Sequence, residues 1–376
     1  MSPFDSVIDR RGSDSFKWGK YAGRDILPLW VADMDFAAPP AVLAALHRRI
    51  EHGVFGYGGP WPSLTASVLA HLQDEYGWTI EPEWLVWLPG LVTGLNVACR
   101  AVDGAVLTAT PIYPPFLSAP HFSGRKLNRV ELARDDNRWH WDMAAMQQAT
   151  TAATRLFLLC HPHNPVGRCW SRDELLALAD YAERHDLLVC SDEIHCGLIL
   201  DPDKRHIPFA SLSPEIAQRS ITLLAPSKTF NIPGLGCAFA VIPNPALRRQ
   251  FERAMHGIVP HVNVLGLAAC EAAFRDDGDW HRDLITYLRG NRDRVSASIG
   301  SLPGLRMAPV EATYLAWIDV RDLCLANPAA HFEAHGIGLS DGADFGAPGW
   351  LRLNFGCPRA TLDEALARFE RAVRAA

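Results

Sequence analysis

The sequence predicts an α/β protein in which a mainly parallel β-sheet is covered by helices on both faces and is accompanied by a smaller α+β domain. Short apolar runs alternate with amphipathic stretches from about residue 83 to 243, and the pattern changes after about residue 275. Apolar strands separated by helices are typical of parallel sheets buried on both faces. With 376 residues, the chain exceeds what one core usually organises, so two domains are expected.

Five apolar runs predict the buried strands of the parallel sheet. They are AVLTAT (105–110), RLFLLC (155–160), LLVCSDE (187–193), ITLLA (221–225) and CAFAVI (237–242). A helix is predicted between the second and third runs, because Ser171 and Glu174 form a capping box ahead of apolar residues at helical spacing. This helix is expected to end near His185 and to lead directly into the next strand.

The region after residue 275 predicts the second domain. An Arg-rich helical stretch (280–299) precedes two strand-like segments, TYLAWIDV (313–320) and GWLRLNFG (349–356), and a final helix follows. These local elements alternate differently from those of the first region, which is why a separate α+β unit is expected.

Composition excludes several classes of protein. The net charge is -6 and basic residues do not form long runs, so nucleic acid is not an expected partner. No stretch of about 18 uncharged apolar residues predicts a membrane span, and the N-terminus lacks the apolar core of a signal peptide. A cytoplasmic protein is therefore expected.

Cysteine and histidine spacing does not predict a disulfide framework or a metal site. The nine cysteines are scattered and form no CxxC pair. Several of them lie near histidines at predicted strand ends, but the spacing matches no zinc pattern. These residues are interpreted as strand-end packing: Cys160, His161, His163, Cys190, His195 and Cys196.

Four polar residues follow the predicted strands and are expected to form one site. They are Tyr113, Asn164, Asp192 and Lys228. Ligands of parallel sheets bind beyond the carboxyl ends of the strands, where these residues would meet. A buried lysine at such a place is either a paired structural charge or a functional amine, and position alone does not decide between them.

The combination of these residues favours pyridoxal phosphate (PLP). Its aldehyde needs a lysine amine, for which Lys228 is the candidate, and its pyridine nitrogen needs a carboxylate, for which Asp192 is the candidate. Asn164 could bond the ring oxygen, and Tyr113 could stack on the ring. Taken singly, a helix cap or turn explains Asp192 better, and a turn before Pro165 explains Asn164 better. Together they point to a cofactor site.

Two further groups complete the predicted site. The turn PGLVTG (89–94) could present the backbone N–H groups of Leu91 and Val92 to a phosphate, although an ordinary strand-to-helix turn has the same pattern. The hydroxyl of Ser227 could add a contact. Arg352, in an apolar strand, is interpreted as a clamp for a substrate carboxylate rather than as half of a structural ion pair.

The motifs resemble a known family over nearly the whole chain. HNPVG (163–167), SDEIH (191–195), APSKTFNIPGL (225–235) and LRLNFGCPR (351–359) are similar, in order and spacing, to the fold-type-I PLP enzymes of the class I/II aminotransferase superfamily. The narrower resemblance is to the MalY/PatB group of cystathionine β-lyases and C–S lyases. It rests on four further segments: DRRGSDSFKW (9–18), LPLWVADMDF (27–36), FGYGGP (55–60) and TPIYPPF (110–116).

The resemblance implies an aspartate aminotransferase-like fold with defined parts. Residues 1–44 would join the small domain, residues 45–275 would form the large PLP-binding domain, and residues 276–376 would form the C-terminal small domain. Lys228 would bind PLP as a Schiff base, with the other strand-end residues and Arg352 in the roles given above. Tyr57 would reach the phosphate of the neighbouring subunit, which implies a homodimer with shared active sites.

The implied reaction is carbon–sulfur β-elimination. Lys228 would remove the Cα proton of L-cystathionine or a related cysteine thioether, and a thiol, pyruvate and ammonia would result. The same residues would also serve an aminotransferase, and a PLP-bound regulatory protein is a further alternative. The chain departs from the group at GLVTG (90–94), where a Gly-Val-Val-Pro-like turn is usual, and at Gly197, where an Asp is expected.

Overall fold

A computed structural model of the chain describes residues 2–135 and 138–376. Its helices are α1 Phe16–Gly19, α2 Pro40–Glu51, α3 Pro62–Tyr76, α4 Leu91–Ala101, α5 Pro115–Phe122, α6 Met143–Ala149, α7 Arg172–Arg184, α8 Pro214–Gln218, α9 Pro245–Met255, α10 Val264–Phe274, α11 Trp280–Gly300, α12 Pro328–Ala334 and α13 Arg359–Arg374. Its strands are β1 Leu27–Pro28, β2 Leu85–Leu88, β3 Ala105–Thr110, β4 Leu127–Glu131, β5 Ala133–Asp135, β6 Arg138–His140, β7 Thr154–Cys160, β8 Leu188–Asp192, β9 Ser220–Leu224, β10 Ala238–Val241, β11 Arg306–Met307, β12 Leu315–Asp319, β13 Ile337–Gly338, β14 Ser340–Asp341 and β15 Trp350–Asn354. Across these two described ranges, we find no helix with the length and apolar character that a membrane crossing requires.

The large sheet is mainly parallel, as the sequence predicts. Its strand order is β2-β10-β9-β8-β7-β3-β4, and the five strands from β9 to β4 run parallel. All five predicted apolar runs form strands of this sheet. CAFAVI differs in direction, because β10 is antiparallel to both of its neighbours. Its connection from β9 contains a short 3-10 turn (Pro233–Leu235) rather than the crossover helix that parallel pairing usually needs.

Helices cover both faces of the large sheet and make it the middle of three layers. Alternate residues of β7 point to opposite faces. Leu158 packs in the apolar cluster that includes α4 and α9, whereas Phe157 packs in the cluster that includes α7. A third cluster joins α3 and α10 to β10. This double burial explains why the strands read as continuous apolar runs rather than as alternating ones.

Helix α7 begins at the capping box that the sequence predicts. The Ser171 hydroxyl accepts a hydrogen bond from the Glu174 N–H at 3.3 Å, and the Glu174 carboxylate accepts one from the Ser171 N–H at 2.8 Å. The apolar side of the helix, including Leu175 and Leu178, is buried against the large sheet. The chain then enters β8 almost directly, so this helix fixes the position of Asp192 at the end of that strand.

A small antiparallel sheet forms from the later part of the chain. Its order is β11-β12-β15-β14, and it shares an apolar core with α11 and α13. The N-terminal part of the chain joins this region, because β1 pairs with β13 in parallel and Leu29 and Met34 lie in the same core. The chain near residue 30 therefore lies between the two sheets.

Candidate active site

The predicted site residues meet at the carboxyl-end edge of the large sheet. Asp192 is the last residue of β8, while Asn164 and Lys228 follow β7 and β9. Tyr113 follows β3, and its backbone N–H donates to the Asn164 carbonyl at 3.1 Å. Arg352, on β15 of the small sheet, donates to the Asn164 side-chain oxygen at 3.0 Å. One site is thus built from both sheets.

Lys228 is a partly buried amine with a lowered pKa. Its Nζ donates a hydrogen bond to the Ala32 carbonyl. Desolvation lowers the pKa of Lys228 to about 8, and the nearby carboxylates of Asp33 and Asp192 oppose that shift. The neutral amine, which a nucleophile or a base requires, is therefore far more populated near neutral pH than in an ordinary lysine.

Asp192 is a buried carboxylate that few protein contacts stabilise in its charged form. One of its oxygens accepts the Ile194 N–H at 3.1 Å. Burial raises the pKa of Asp192 to about 7, although that hydrogen bond and the charge of Lys228 favour the ionised form. A cationic partner would stabilise this carboxylate strongly, because a buried charge is costly until it is paired.

Arg352 is a buried cation held by neutral acceptors. Besides Asn164, its guanidinium donates to the Trp30 carbonyl at 2.8 Å and to the Ser340 hydroxyl at 3.3 Å, and it lies 4.7 Å from the centre of the Phe345 ring. Within the described residues, no carboxylate pairs with it and its Nε has no hydrogen-bond partner. Burial lowers the pKa of Arg352 to about 10, so the group remains charged at neutral pH.

A segment of the N-terminal chain, residues 29–36, crosses the site and is called the strap below. Its carbonyls at Trp30 and Ala32 accept hydrogen bonds from Arg352 and Lys228. Two asparagines hold the strap: Asn354 donates to two of its carbonyls and Asn231 to two others. Sequence reasoning did not find this role, because the contacts use the backbone of the strap and leave no pattern of side chains.

The sequence did not predict two aromatic side chains of the site, those of Tyr314 and His195. The Tyr314 hydroxyl donates to the Ala32 carbonyl at 2.8 Å, beside Lys228. His195 lies edge-on to the Tyr314 ring at 6.0 Å, and its buried Nδ1 has no partner in the described part of the chain. Burial, with the charges of Lys228 and Arg352, holds the pKa of His195 well below its ordinary value.

The interpretation of His195 as strand-end packing is therefore incomplete. It is a neutral imidazole in the site, positioned by the turn after Asp192. The SDEIH motif contained this signal, since a histidine three residues after a site aspartate follows it by one turn. The neighbouring histidines behave differently: His161 and His163 each use Nε2 to bond a backbone carbonyl, of Ile207 and Pro111.

The predicted phosphate turn is the beginning of a helix. Helix α4 starts at Leu91, inside the turn predicted over 89–94, and no side chain caps its first turn. Gly94 explains the difference, because a Cβ there would lie 2.9 Å from the Leu223 side chain of β9. Glycine thus permits the helix to pack closely on the sheet. The N–H groups of Leu91 and Val92 lie in this uncapped turn, where an anion is favoured.

Three other predicted positions have clear surroundings. Ser227 is partly exposed beside Lys228. A Cβ at Gly197 would lie 2.6 Å from Oγ1 of Thr229, so the glycine makes room for the residue that follows Lys228. Tyr57 lies apart from the site in this chain: it is fully exposed, at 106%, in the segment between α2 and α3.

The chain matches a known protein family over most of its length. The sequence signature of the family described as aminotransferase class I and II matches residues 24–369. The chain belongs to this family. The matched range covers the strap, the large sheet and nearly all of the small-sheet region, so it includes every element that contributes a side chain to the site.

Several known proteins resemble the chain over its full length. Cystathionine beta-lyase PatB of Bacillus subtilis (strain 168) is 36% identical over 98% of this chain and 99% of its own. The crystal structure of OvoB is 50% identical, covers 99% of both chains and has a TM-score of 0.97. Cystalysin from Treponema denticola, which contains a PLP cofactor, is 32% identical over 100% of this chain and 99% of its own, with a TM-score of 0.94. The predicted PLP-transferase fold and MalY/PatB-type family are confirmed.

Proposed function

We propose that this protein is a PLP-dependent carbon–sulfur β-lyase. It cleaves L-cystathionine or related cysteine thioethers to a thiol, pyruvate and ammonia. The observation that carries the proposal is the meeting, in one site, of an amine of lowered pKa, a buried carboxylate and a buried cation that pairs with no carboxylate of the described residues. The full-length likeness to a cystathionine β-lyase and to PLP-containing cystalysin supports the choice of reaction.

The residues of this site fit PLP. Lys228 supplies the amine for the aldehyde, and the under-compensated carboxylate of Asp192 suits a protonated pyridine nitrogen. Asn164 and Tyr113 serve the ring oxygen and the ring face. The phosphate would bind at the uncapped first turn of α4. The backbone N–H groups of Leu91 and Val92 and the hydroxyl of Ser227 can all donate hydrogen bonds to an anion there. When bound, PLP supplies an electron sink for charge that develops at the substrate Cα.

The side chains of the chain position and deprotonate the substrate. The Arg352 guanidinium binds its carboxylate through charge-assisted hydrogen bonds, in exchange for the neutral acceptors seen in the structure. The Lys228 amine, neutral in a sizeable fraction near pH 8, removes the Cα proton. Arg352 is buried and Lys228 is partly buried, so the local dielectric is lower than in water and the electrostatic effect of both groups is stronger.

The quaternary arrangement and the domain division form part of the proposal. A homodimer in which Tyr57 contacts the phosphate in the partner's site would give this exposed tyrosine a role. Residues 45–275 form the large domain and 276–376 the small domain, with 1–44 joining the latter. The pairing of β1 with β13 supports that assignment. The proposed location is the cytoplasm.

The direct test follows the absorbance spectrum and the products of the purified protein. Wild type should carry a PLP absorbance band and release pyruvate and thiol from L-cystathionine. Lys228→Ala should lose both, whereas Lys126→Ala, at an exposed lysine, should lose neither. Keto-acid-dependent amino transfer without thiol release would instead establish an aminotransferase, and tight binding of a protein partner without turnover would favour the regulatory alternative.

Subunit mixing tests the shared site. Lys228→Ala and Tyr57→Ala proteins should each be weakly active, but a mixed dimer should regain one intact site, built from the native Lys228 of one subunit and the native Tyr57 of the other. Refolding the two variants together and measuring pyruvate release against each variant refolded alone checks this. Activity no greater than the sum of the separate variants would contradict a Tyr57 contribution across the dimer.

A further inference from the structure

Two aspartates of the strap, Asp33 and Asp35, use their carboxylates differently. Oδ1 of Asp35 accepts hydrogen bonds from Arg10 at 2.6 Å and from the Trp18 ring N–H at 3.0 Å. Its Oδ2 pairs with the ammonium of the buried Lys17 at 2.7 Å. Asp35 therefore has donors on both oxygens and anchors the strap to the N-terminal segment.

Asp33 has one carboxylate oxygen left free. Its Oδ2 pairs with Arg10 at 2.6 Å, and the Lys17 ammonium contacts its backbone carbonyl at 3.1 Å. Its Oδ1 is buried, and within the part of the chain that the structure describes it accepts no hydrogen bond. A buried carboxylate oxygen without a donor is costly, and a role in catalysis is one reason why proteins retain such a group.

The free oxygen belongs to the residue beside the Lys228 contact. The Lys228 Nζ donates to the carbonyl of Ala32, the residue that precedes Asp33, and the Tyr314 hydroxyl donates to the same carbonyl at 2.8 Å. The Asp33 carboxylate is close enough to Lys228 and Tyr314 to raise the pKa of each. An ammonium group has three donors, of which the Ala32 carbonyl occupies one. Lys228 thus has donors to offer to Asp33.

The other ionisable groups around Lys228 do not replace Asp33. They are Asp192 at the end of β8, His195 in the turn that follows, Tyr314 ahead of β12 and Arg352 on β15. Arg352 is a cation and disfavours the Lys228 ammonium, while His195 and Tyr314 are neutral near neutral pH. In the proposed holoenzyme the cofactor engages Asp192. Asp33 is then the anion among these groups that remains for Lys228.

We propose that Asp33 is a positioning residue for the base Lys228: its free oxygen receives the ammonium that forms when Lys228 takes up the substrate Cα proton. The proton moves from Cα to Nζ, the electron pair of the C–H bond is left at Cα, and Asp33 exchanges no proton. The carboxylate keeps the protonated amine beside the reacting atoms. The inference rests on the proposed lyase function and adds a strap side chain to it.

Titration of the Lys228 amine in the cofactor-free protein tests the contact without turnover. Trace acetylation with acetic anhydride over a range of pH, followed by mass spectrometry of the peptide that contains Lys228, gives the midpoint at which the amine becomes reactive. In wild type this midpoint should lie near the pKa of about 8. Asp33→Asn keeps an acceptor for Arg10 but removes the charge, so the midpoint should fall by about one pH unit.

The direction of the shift separates a lost contact from a loosened site. Water admitted by structural damage would raise the midpoint, because solvation stabilises the ammonium. Asp33→Glu retains the charge and should keep most of the wild-type value. Asp344→Asn removes an exposed carboxylate from the cavity of about 950 Å³ beside Arg352 and should leave the midpoint unchanged. A midpoint that does not fall in Asp33→Asn, or that falls equally in Asp344→Asn, would overturn the inference.

Arg10 offers a variant of opposite sign, which also serves if Asp33→Asn does not fold. Arg10→Gln removes the cation that shares the Asp33 carboxylate, so this carboxylate should act more strongly on Lys228 and the midpoint should rise. The rise should be absent from the same change in an Asp33→Asn background, because the effect passes through Asp33. An unchanged midpoint in Arg10→Gln would count against the inference.

Turnover of the holoenzyme supplies a second readout. Asp33→Asn should lower kcat for L-cystathionine roughly tenfold, since the protonated base loses its partner, and should change KM by less than about twofold, because Arg352 still binds the substrate. An unchanged kcat would overturn the inference. Failure of the lyase proposal looks different: the wild-type holoenzyme would release no pyruvate, while the acetylation midpoints of wild type and Asp33→Asn would still differ.

Discussion

Two buried arginines show how differently the same group is treated in two regions of the molecule. Arg168 is 2% exposed and Arg352 is 4% exposed. Arg168 contacts two carboxylates, Glu311 at 2.6 Å and Glu174 at 2.5 Å, and also bonds the Trp139 carbonyl at 2.9 Å. Among the described residues, the hydrogen-bond partners of Arg352 are a carbonyl, an amide oxygen and a hydroxyl.

The difference is the one expected between a structural cation and the carboxylate-binding cation that we propose Arg352 to be. A buried ion pair already has its opposite charge, so it cannot bind a ligand anion without losing that partner. Arg352 has weak neutral acceptors that an incoming carboxylate can replace with gain. Its partners also come from the strap and from Asn164, which are parts of the site. Arg168 instead ties the start of α7 to the chain just before β12, away from the site.

The largest effect on stability is expected at Arg168. Arg168→Met leaves the buried Glu311 and the half-buried Glu174 without their nearest cation, which should cost about 3 kcal/mol in the free energy of unfolding. Arg138 is the matched control, since it approaches the same Glu174 at 3.6 Å but is largely exposed. Arg138→Met should cost well under 1 kcal/mol. Denaturant unfolding measures both, and equal costs would remove the distinction between the two arginines.

Arg352→Met should mainly affect activity. Loss of the guanidinium should lower kcat/KM about a hundredfold or more, because a buried charge-assisted contact to the substrate is removed. The free energy of unfolding should fall much less than in Arg168→Met. Arg352→Lys should recover part of the activity, as a point charge replaces a bidentate donor. The comparison fails if Arg352→Met unfolds as easily as Arg168→Met.

A pH-dependent effect is expected at Asp192, the buried carboxylate of the site. Its pKa is raised from 3.8 to about 7 in the folded, cofactor-free protein, so its contribution to stability is lost as the pH rises from about 4 to 7. Asp192→Asn has no such loss. Its melting temperature without cofactor, relative to wild type, should therefore be higher at pH 8 than at pH 5. An equal difference in melting temperature between Asp192→Asn and wild type at both pH values would show that other groups of the chain stabilise the ionised Asp192 carboxylate.

The smallest effect is expected at Gly197, which borders the site without supplying a charge. Gly197→Ala places a methyl group against Thr229 and should cost about 1 kcal/mol in unfolding, with weaker PLP binding. In a Thr229→Ala background the same change should cost less, because the contacting hydroxyl and methyl are gone. A double-mutant cycle of unfolding free energies measures this coupling, and strictly additive effects would contradict the contact.

Much of the fold and the centre of the site could be predicted from local patterns. The capping box at Ser171 and Glu174 predicts the start of α7, and apolar runs predict the strands, because double burial leaves a continuous signal. The residues after those strands are brought together by the sheet itself. Because β7, β8 and β9 are adjacent and parallel, the residues at or after their carboxyl ends, Asn164, Asp192 and Lys228, lie close together in space.

Other parts could not be predicted, for physical reasons. The strap acts through carbonyls, which every residue has. Tyr314 comes from a distant part of the chain, and no local pattern places it beside Lys228. The early start of α4 depends on how closely Gly94 approaches Leu223, a tertiary contact that overrides the usual interpretation of two glycines as a loop.

The strap makes ligand binding an exchange of partners. The carbonyls of Trp30 and Ala32, two residues apart, accept hydrogen bonds from Arg352, the proposed carboxylate clamp, and from Lys228, the proposed cofactor lysine. A substrate that takes Arg352 releases the first carbonyl, and a cofactor that takes Lys228 releases the second. Each arrival thus loosens the same peptide segment. The amides in residues 29–36 should therefore become less protected against hydrogen exchange as cofactor and substrate bind, and their exchange reports how far the site is occupied.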